Sequence, residues 1–203
     1  MIFLIMNGGL LMQIQKDAVK GRIIEAAEEA FFTQGYLKTS LRKIANVANI
    51  TVGNIYRYFE NKEALFWAVV EPAWEDINKI ISSQYDMDEE WDIARFQELA
   101  DNLTKIFLAK QMQFVILLTD EIDTPGVGVR EDIEMLVLDR LTLDFIPRLP
   151  LEKQDPVIME ILAEAIVSSM FKLFREYDGD KDRLAERITR VIHIFLGSSK
   201  NWF

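Results

Sequence analysis

The stretch Thr39–Lys62, TSLRKIANVANITVGNIYRYFENK, decides how the rest of the chain is read. Ile44, Ala48, Ile50, Ile55 and Phe59 are apolar at spacings that place them inside a compact corner, while Thr51, Asn54, Tyr56 and Arg57 project from the second of two short helices. Ala45 is small enough to let those helices approach. Asn49 falls at the turn between them, where left-handed backbone is needed and Asn tolerates it best after Gly. The pattern predicts a helix-turn-helix with one packed face and one face free to touch a ligand. Thr39 or Ser40 is placed to cap the first helix and Thr51 the second, so that both N-termini can turn backbone N–H groups toward phosphate.

Working outward, Asp17–Gln34 reads as a helix with Val19, Ile23, Ala27, Ala30 and Phe31 along one stripe, stopped by Gly35. On the other side Asn61 caps a long periodic segment through Leu65, Phe66, Val69, Ala73, Ile77 and Ile81. Pro72 interrupts that segment, and two readings stay open for it: a boundary between two helices, or a hinge within one.

Together, RIIEAAEEAFFTQGY (22–36), TSLRKIA (39–45) and TVGNIYRYFENKEALF (51–66) resemble the DNA-binding half of the TetR family of bacterial repressors, over about Lys16 to Trp74. The run from Val52 through Leu65 is the most diagnostic part; Asn49 stands where the family usually has Gly, and Thr51 where it more often has Ser. The resemblance implies an all-α fold: an N-terminal three-helix helix-turn-helix head at 16–62 and a C-terminal helical domain at 63–203 for ligand binding and dimerisation. By resemblance and by geometry, Thr51, Val52, Asn54 and Arg57 reach base edges, with Gly53 among them. Thr39, Ser40, Tyr56 and Lys62 hold phosphates, and Arg42 does either.

Charge is distributed to match. The chain of 203 residues carries a formal net charge of −10, which by itself argues against a polyanionic partner. Residues 16–62 nevertheless hold eight Lys/Arg against five Asp/Glu, net +3, leaving −13 on residues 63–203. A basic head on an acidic body can meet DNA in one orientation only. Residues 1–15, apolar and uncharged, lack the basic start of a signal peptide. They are expected to form a disordered or partner-packed arm, with Met12 an equally good start. No stretch reaches the roughly 20 apolar residues of a membrane span, so a cytoplasmic protein without a membrane partner is expected.

Cysteine is absent and His193 is the only histidine. This removes disulfides, thiolate metal sites and most nucleophilic triads, and no metal or cofactor is expected. In the body, the acidic run Asp86–Asp92 reads as a solvated helix start, and 123–128 as a turn. Helices are expected to about Lys110 and onward through QMQFVILLTDEI, then over Arg130–Ile146, Asp155–Tyr177 and Lys181–Leu196. The Asp155–Tyr177 segment is apolar on more than one stripe, which points to a helical interface; the resemblance implies a homodimer through a four-helix bundle of the last two helices. Ile158, Ile166, Phe174, Ile188, Ile192 and Phe195 are the candidate dimer residues. Trp91, Phe96, Phe107, Met112, Phe114, Met135, Phe145 and Met170 are candidates to line a pocket for an apolar inducer. A ligand-released repressor on a near-palindromic double-stranded DNA operator is the leading reading, against a small-molecule enzyme or carrier whose head does not bind DNA.

Overall fold

A computed structural model describes residues 2–83, 93–119, 123–144, 147 and 154–197. Among these residues the protein is helical and contains no strand: α1 (Ile2–Gln34), α2 (Leu41–Val47), α3 (Val52–Ile55), α4 (Lys62–Ser82), α5 (Ile93–Ala109), α6 (Gln111–Leu117), α7 (Val129–Asp144), α8 (Pro156–Arg175) and α9 (Lys181–Ile192), which runs on as a π-helical segment His193–Gly197. The chain divides into two compact units, Met1–Pro72 with Glu121–Pro125, and Ala73–Asp120 with Gly126–Phe203. The expected division after Lys62 thus falls at Pro72. The first turns of α4 belong to the head because Phe66 packs on Phe31 and Tyr36, with ring centroids 6.0 and 5.4 Å apart.

α1 begins at Ile2, fifteen residues earlier than the predicted start at Asp17, so of the disordered or partner-packed arm expected there the disordered form gives way to a helical continuation. Residues 2–16 contain no Pro, and Gly8 and Gly9 each cost about 1 kcal/mol relative to Ala, too little to stop propagation from a stable helix. At the other end Gly35, at φ 78°, closes the helix with its N–H bonded to the Phe31 carbonyl at 2.9 Å. Ile23, Ala27 and Phe31 from α1, Ile44 and Ala45 from α2, Ile55 from α3 and Leu65 and Phe66 from α4 form the buried centre of the head.

α4 is one helix across Pro72, which therefore does not separate two helices, although the compact units part there. In the body, Phe107 and Phe174 stack at 4.5 Å, and Phe114 and Tyr177 meet Phe107 edge-on at 5.8 and 5.4 Å. Such pairs contribute about 0.5–1.5 kcal/mol each beyond area burial. The helix expected to end at about Lys110 does so: Lys110, at φ −137° and ψ 36°, separates α5 from α6. Neither Gly nor Pro marks this break in the sequence; the Lys110 ammonium is anchored 2.6 Å from the Asp76 carboxylate. The two helices expected over Asp155–Tyr177 and Lys181–Leu196 are present as α8, capped by Asp155 with Pro156 in its first turn, and α9, capped by Asp180 after Gly179 at φ 94°. The Asp86–Asp92 run lies outside the described residues.

Candidate nucleic-acid interface and ligand cavity

The turn that aims α3 is set by Asn49 at φ 54°, the left-handed conformation expected from its place in the sequence. The Ile50 N–H then reaches back to the Ala45 carbonyl at 2.9 Å, locking α2 to the turn. Ser40 caps α2 by accepting from the Lys43 N–H, and Thr51 caps α3 by accepting from the Asn54 N–H, both at 3.3 Å. α3 proper is a single turn, but further turns carry the chain to Phe59, whose N–H bonds the Ile55 carbonyl at 3.0 Å. Ile55 and Phe59 are buried behind it. Thr51, Gly53, Tyr56 and Arg57 are exposed, and Val52 and Asn54 are half-buried.

Gly53 has no role in the packing of the head. A Cβ built on it would meet only the Thr51 Oγ1, at 3.8 Å, and its backbone is not left-handed. Glycine in a helix costs stability, so its absence of a side chain serves close approach from outside or nothing in the fold.

Two of the predicted phosphate ligands are turned inward. Thr39 is 2% exposed, and its hydroxyl has the carbonyls of Gly35 and Ala30 at 2.8 and 3.1 Å as acceptors. Lys62 donates to the carbonyls of Tyr36 and Thr39 at 2.9 and 3.1 Å, with its ammonium 3.9 Å from the centroid of the Tyr36 ring. Partial burial pulls the Lys62 pKa below the ordinary lysine value, while the two carbonyls and the ring face favour the ammonium. Desolvation, helped by Glu63, raises the Tyr36 pKa. Sequence alone could not separate a lysine that reaches out from one that folds back onto a loop 23 residues earlier. Conversely, Lys38 and Lys43 are exposed beside Arg42 and were not singled out; their membership of the +3 segment was the available signal. The Lys43 ammonium donates to Gln34.

In the body, a cavity of about 190 Å³ lies among α4, α5, α6, α7, α8 and α9. Of the predicted pocket residues, Phe114 and Met170 line it. Phe96 and Phe107 are buried but not in its wall, Met112 and Met135 are exposed, and Trp91 and Phe145 lie outside the described residues. Most of the wall is aliphatic, including Ile77, Ile81, Leu103 and Val137, residue types that the search for aromatics and Met passed over. The dimer candidates divide in the same way. Ile188 is fully buried and Phe174 nearly so, while Ile166, Phe174 and Ile192 line the cavity. These side chains are used within the protomer. Phe195 is half-buried and Ile158 is exposed, next to exposed Val157 and Ile161 on the same face of α8.

Residues 23–69 match the family of bacterial regulatory proteins designated tetR. The match is to a segment of 47 residues, under a quarter of the chain. It contains α2, α3 and the first part of α4, with the capped turn between them. Among curated relatives, the chain is 37% identical over 75 residues to the HTH-type transcriptional regulator TtgR of Pseudomonas putida, and 27% identical over 110 residues to UidR of Escherichia coli. The matches cover 37% and 54% of this chain, and only 36% and 47% of those regulators' own lengths. A transcriptional regulator from Aquifex aeolicus VF5 shares the fold, with a TM-score of 0.65 at 22% identity, over 88% of this chain and 99% of that one. The Pseudomonas aeruginosa repressor NalD superposes with a TM-score of 0.57, over 87% and 96% of the two chains. Both likenesses are of fold, and they extend beyond residues 23–69 into the helical body. Among the described residues no helix is long and apolar enough to cross a membrane, and no acidic or histidine cluster could hold a metal ion.

Proposed function

We propose that the protein is a DNA-binding transcriptional regulator: a homodimeric, cytoplasmic repressor released from a near-palindromic operator by an apolar small molecule. The observation that carries this reading is the capped α2–turn–α3 unit, which presents Thr51, Gly53, Tyr56 and Arg57 outward while Ile44, Ala48, Ile55 and Phe59 are buried behind it. Val52, Asn54 and Arg57 are assigned to base edges with Thr51, and Tyr56 and Arg42 to the backbone, joined by Lys38 and Lys43. Thr39 and Lys62 act within the head.

One head offers too few base contacts for a specific site. Two heads on a two-fold axis double them and require half-sites about 34–36 Å apart or a multiple of that spacing. The exposed apolar face of α8, with Val157, Ile158 and Ile161, supports self-association. The cavity supports the ligand: α4 carries Lys62 at its start and Ile77, Ile80 and Ile81 in the cavity wall, so a single helix runs from head to sensor. A coupling of about 1–3 kcal/mol between the sites would change operator affinity roughly 5- to 150-fold. The test is selection of duplex DNA from a random pool, followed by titration of the recovered site at rising salt. A palindromic consensus with salt-dependent affinity is expected, and recovery of no preferred sequence would overturn the assignment.

A further inference from the structure

The cavity in the body is walled by α4 to α9, and almost no polar surface faces it. Sixteen of the seventeen wall residues are apolar. The other, Arg140, borders the cavity with its aliphatic stem, and its guanidinium has a partner within the protein. We propose that the ligand is a neutral hydrocarbon, a single ring with a short alkyl chain or an alkane of like bulk, held without any hydrogen bond to the protein. This inference rests on the reading of the cavity as the inducer site and narrows the chemistry that fills it.

A hydrogen-bonding ligand needs a donor or acceptor to meet, and the local structure has committed those groups elsewhere. Ile133 and Val137 lie inside α7, where the helix itself uses their backbone N–H and carbonyl groups. Ser168 and Ser169 fall between the wall residues Val167 and Met170, yet neither belongs to the wall. Ser169 donates to the Ala165 carbonyl at 2.7 Å, and Ser168 accepts from Arg130. Thr104 and Thr119, each one residue beyond a wall leucine, donate to the carbonyls of Ala100 and Val115 at 2.8 and 2.7 Å. Gln113, whose buried Oε1 has no partner, is not a wall residue either.

Such a wall selects by exclusion. A hydroxyl carried into it loses its water and gains no partner, which costs about 5- to 150-fold in affinity. Water does not make up the loss, because an apolar cavity of this kind stays dry. An ion is excluded more strongly still. Each buried carbon, by contrast, contributes about fourfold. Size sets the other limit. The volume of about 190 Å³ exceeds the roughly 150 Å³ of an apolar cavity that admits benzene, so one ring and a short chain fit while a fused polycycle requires the walls to move.

The test is calorimetric titration of the full chain with probes of nearly equal shape: propylbenzene, 2-phenylethanol, phenylacetate and 2-phenylethylammonium. Propylbenzene is expected to bind at least about twentyfold tighter than the alcohol, the lower cost of the hydroxyl multiplied by one buried carbon. Neither ion should bind measurably. Val137→Phe fills part of the cavity and should weaken propylbenzene, which separates cavity binding from surface adsorption; Val137→Leu serves if the phenylalanine variant does not fold. A smaller preference over the alcohol, or measurable binding of either ion, would overturn the proposal and leave the cavity as an inducer site of other chemistry. If no probe bound the wild type, or if propylbenzene binding were untouched in the Val137 variants, the cavity reading itself would fall and take the proposal with it. Propylbenzene that binds in the cavity without changing affinity for the selected duplex would remove the inducer role and leave the ligand class standing.

Discussion

Replacing Lys62 by Met tests whether this residue belongs to the DNA interface or to the head's own framework. Methionine keeps the apolar stem and removes only the ammonium. The structure assigns that ammonium two carbonyl acceptors, at 2.9 and 3.1 Å, and an aromatic face at 3.9 Å. Hydrogen bonds from a charged donor are worth about 1.5–3 kcal/mol when sheltered, and less where water can replace the donor. A half-exposed cation–π contact adds about 0.5–1 kcal/mol. Because Lys62 is half-buried, the lower ends apply, and the expected loss is about 2–3 kcal/mol, or roughly 5–10 °C in Tm. The two readings then separate in a salt titration. A lysine bound to phosphate contributes about 0.9 to the slope of log affinity against log salt for each head. A lysine clamped on Tyr36 and Thr39 contributes nothing to that slope, and its loss lowers affinity equally at every salt concentration by loosening the entry to α2. Fluorescence anisotropy of labelled operator between 50 and 200 mM salt, roughly the range over which the effect is large, gives parallel lines for the clamp. A slope flattened by about 0.9 per head, with an unchanged melting temperature, would refute the reasoning.

Three further perturbations address the other assignments. Gly53→Ala is expected to stabilise the free protein by about 0.5–1 kcal/mol, since nothing in the head obstructs a Cβ there, and to weaken operator binding if DNA backbone approaches that position; unaltered affinity in a gel-shift titration would count against the docking. Ile161→Glu places a charge on a side chain that is 55% exposed in the protomer, so the monomer fold should change by no more than about 0.5 kcal/mol while the dimer dissociates; sedimentation showing an intact dimer would move the interface elsewhere. Ile192→Glu, by contrast, should unfold the body, since Ile192 is only 4% exposed. Pro72→Ala supplies the backbone N–H that proline lacks in the interior of α4, so stability should rise, by up to about 3 kcal/mol, and the ratio of operator affinities with and without the inducer should shift; an unchanged ratio would mean that Pro72 takes no part in the coupling.

The head was legible because its signals are local. Asn49 needs left-handed backbone, Gly35 ends a helix, and Ser40 and Thr51 cap helices by accepting from the N–H three residues on. Each of these roles is fixed within one turn of chain, where residue type and conformation are tied by sterics and by a single hydrogen bond. The inward placement of Lys62 was not legible for the opposite reason. Its partners Tyr36 and Thr39 precede it by 26 and 23 residues, and no spacing rule connects them. The helix over residues 2–16 was not legible because that stretch carries no charge and no polar face to give it a helical period, while its glycines are within a long helix only a tolerable cost.

The body resisted reading at a different level. Period tells which face of a helix is buried, but not whether that face meets another side chain or a gap. Phe107 and Phe114 illustrate the limit: both are buried aromatics seven residues apart, yet Phe114 borders the cavity while Phe107 is closed off, stacked on Phe174. Ile188 and Ile192 pose the same problem one element later, since a clean stripe on α9 could equally have faced a second copy of the chain. In fact α9 packs chiefly against α5 of its own protomer, and its stripe is consumed there. A partner can use only what intramolecular packing leaves uncovered, which on α8 is Val157, Ile158 and Ile161, and these are distinguishable from the buried Met159 and Leu162 between and beside them only once the helix is seated. Interface and cavity are both residues of packing, so they become readable only after the core has taken its share of the apolar side chains.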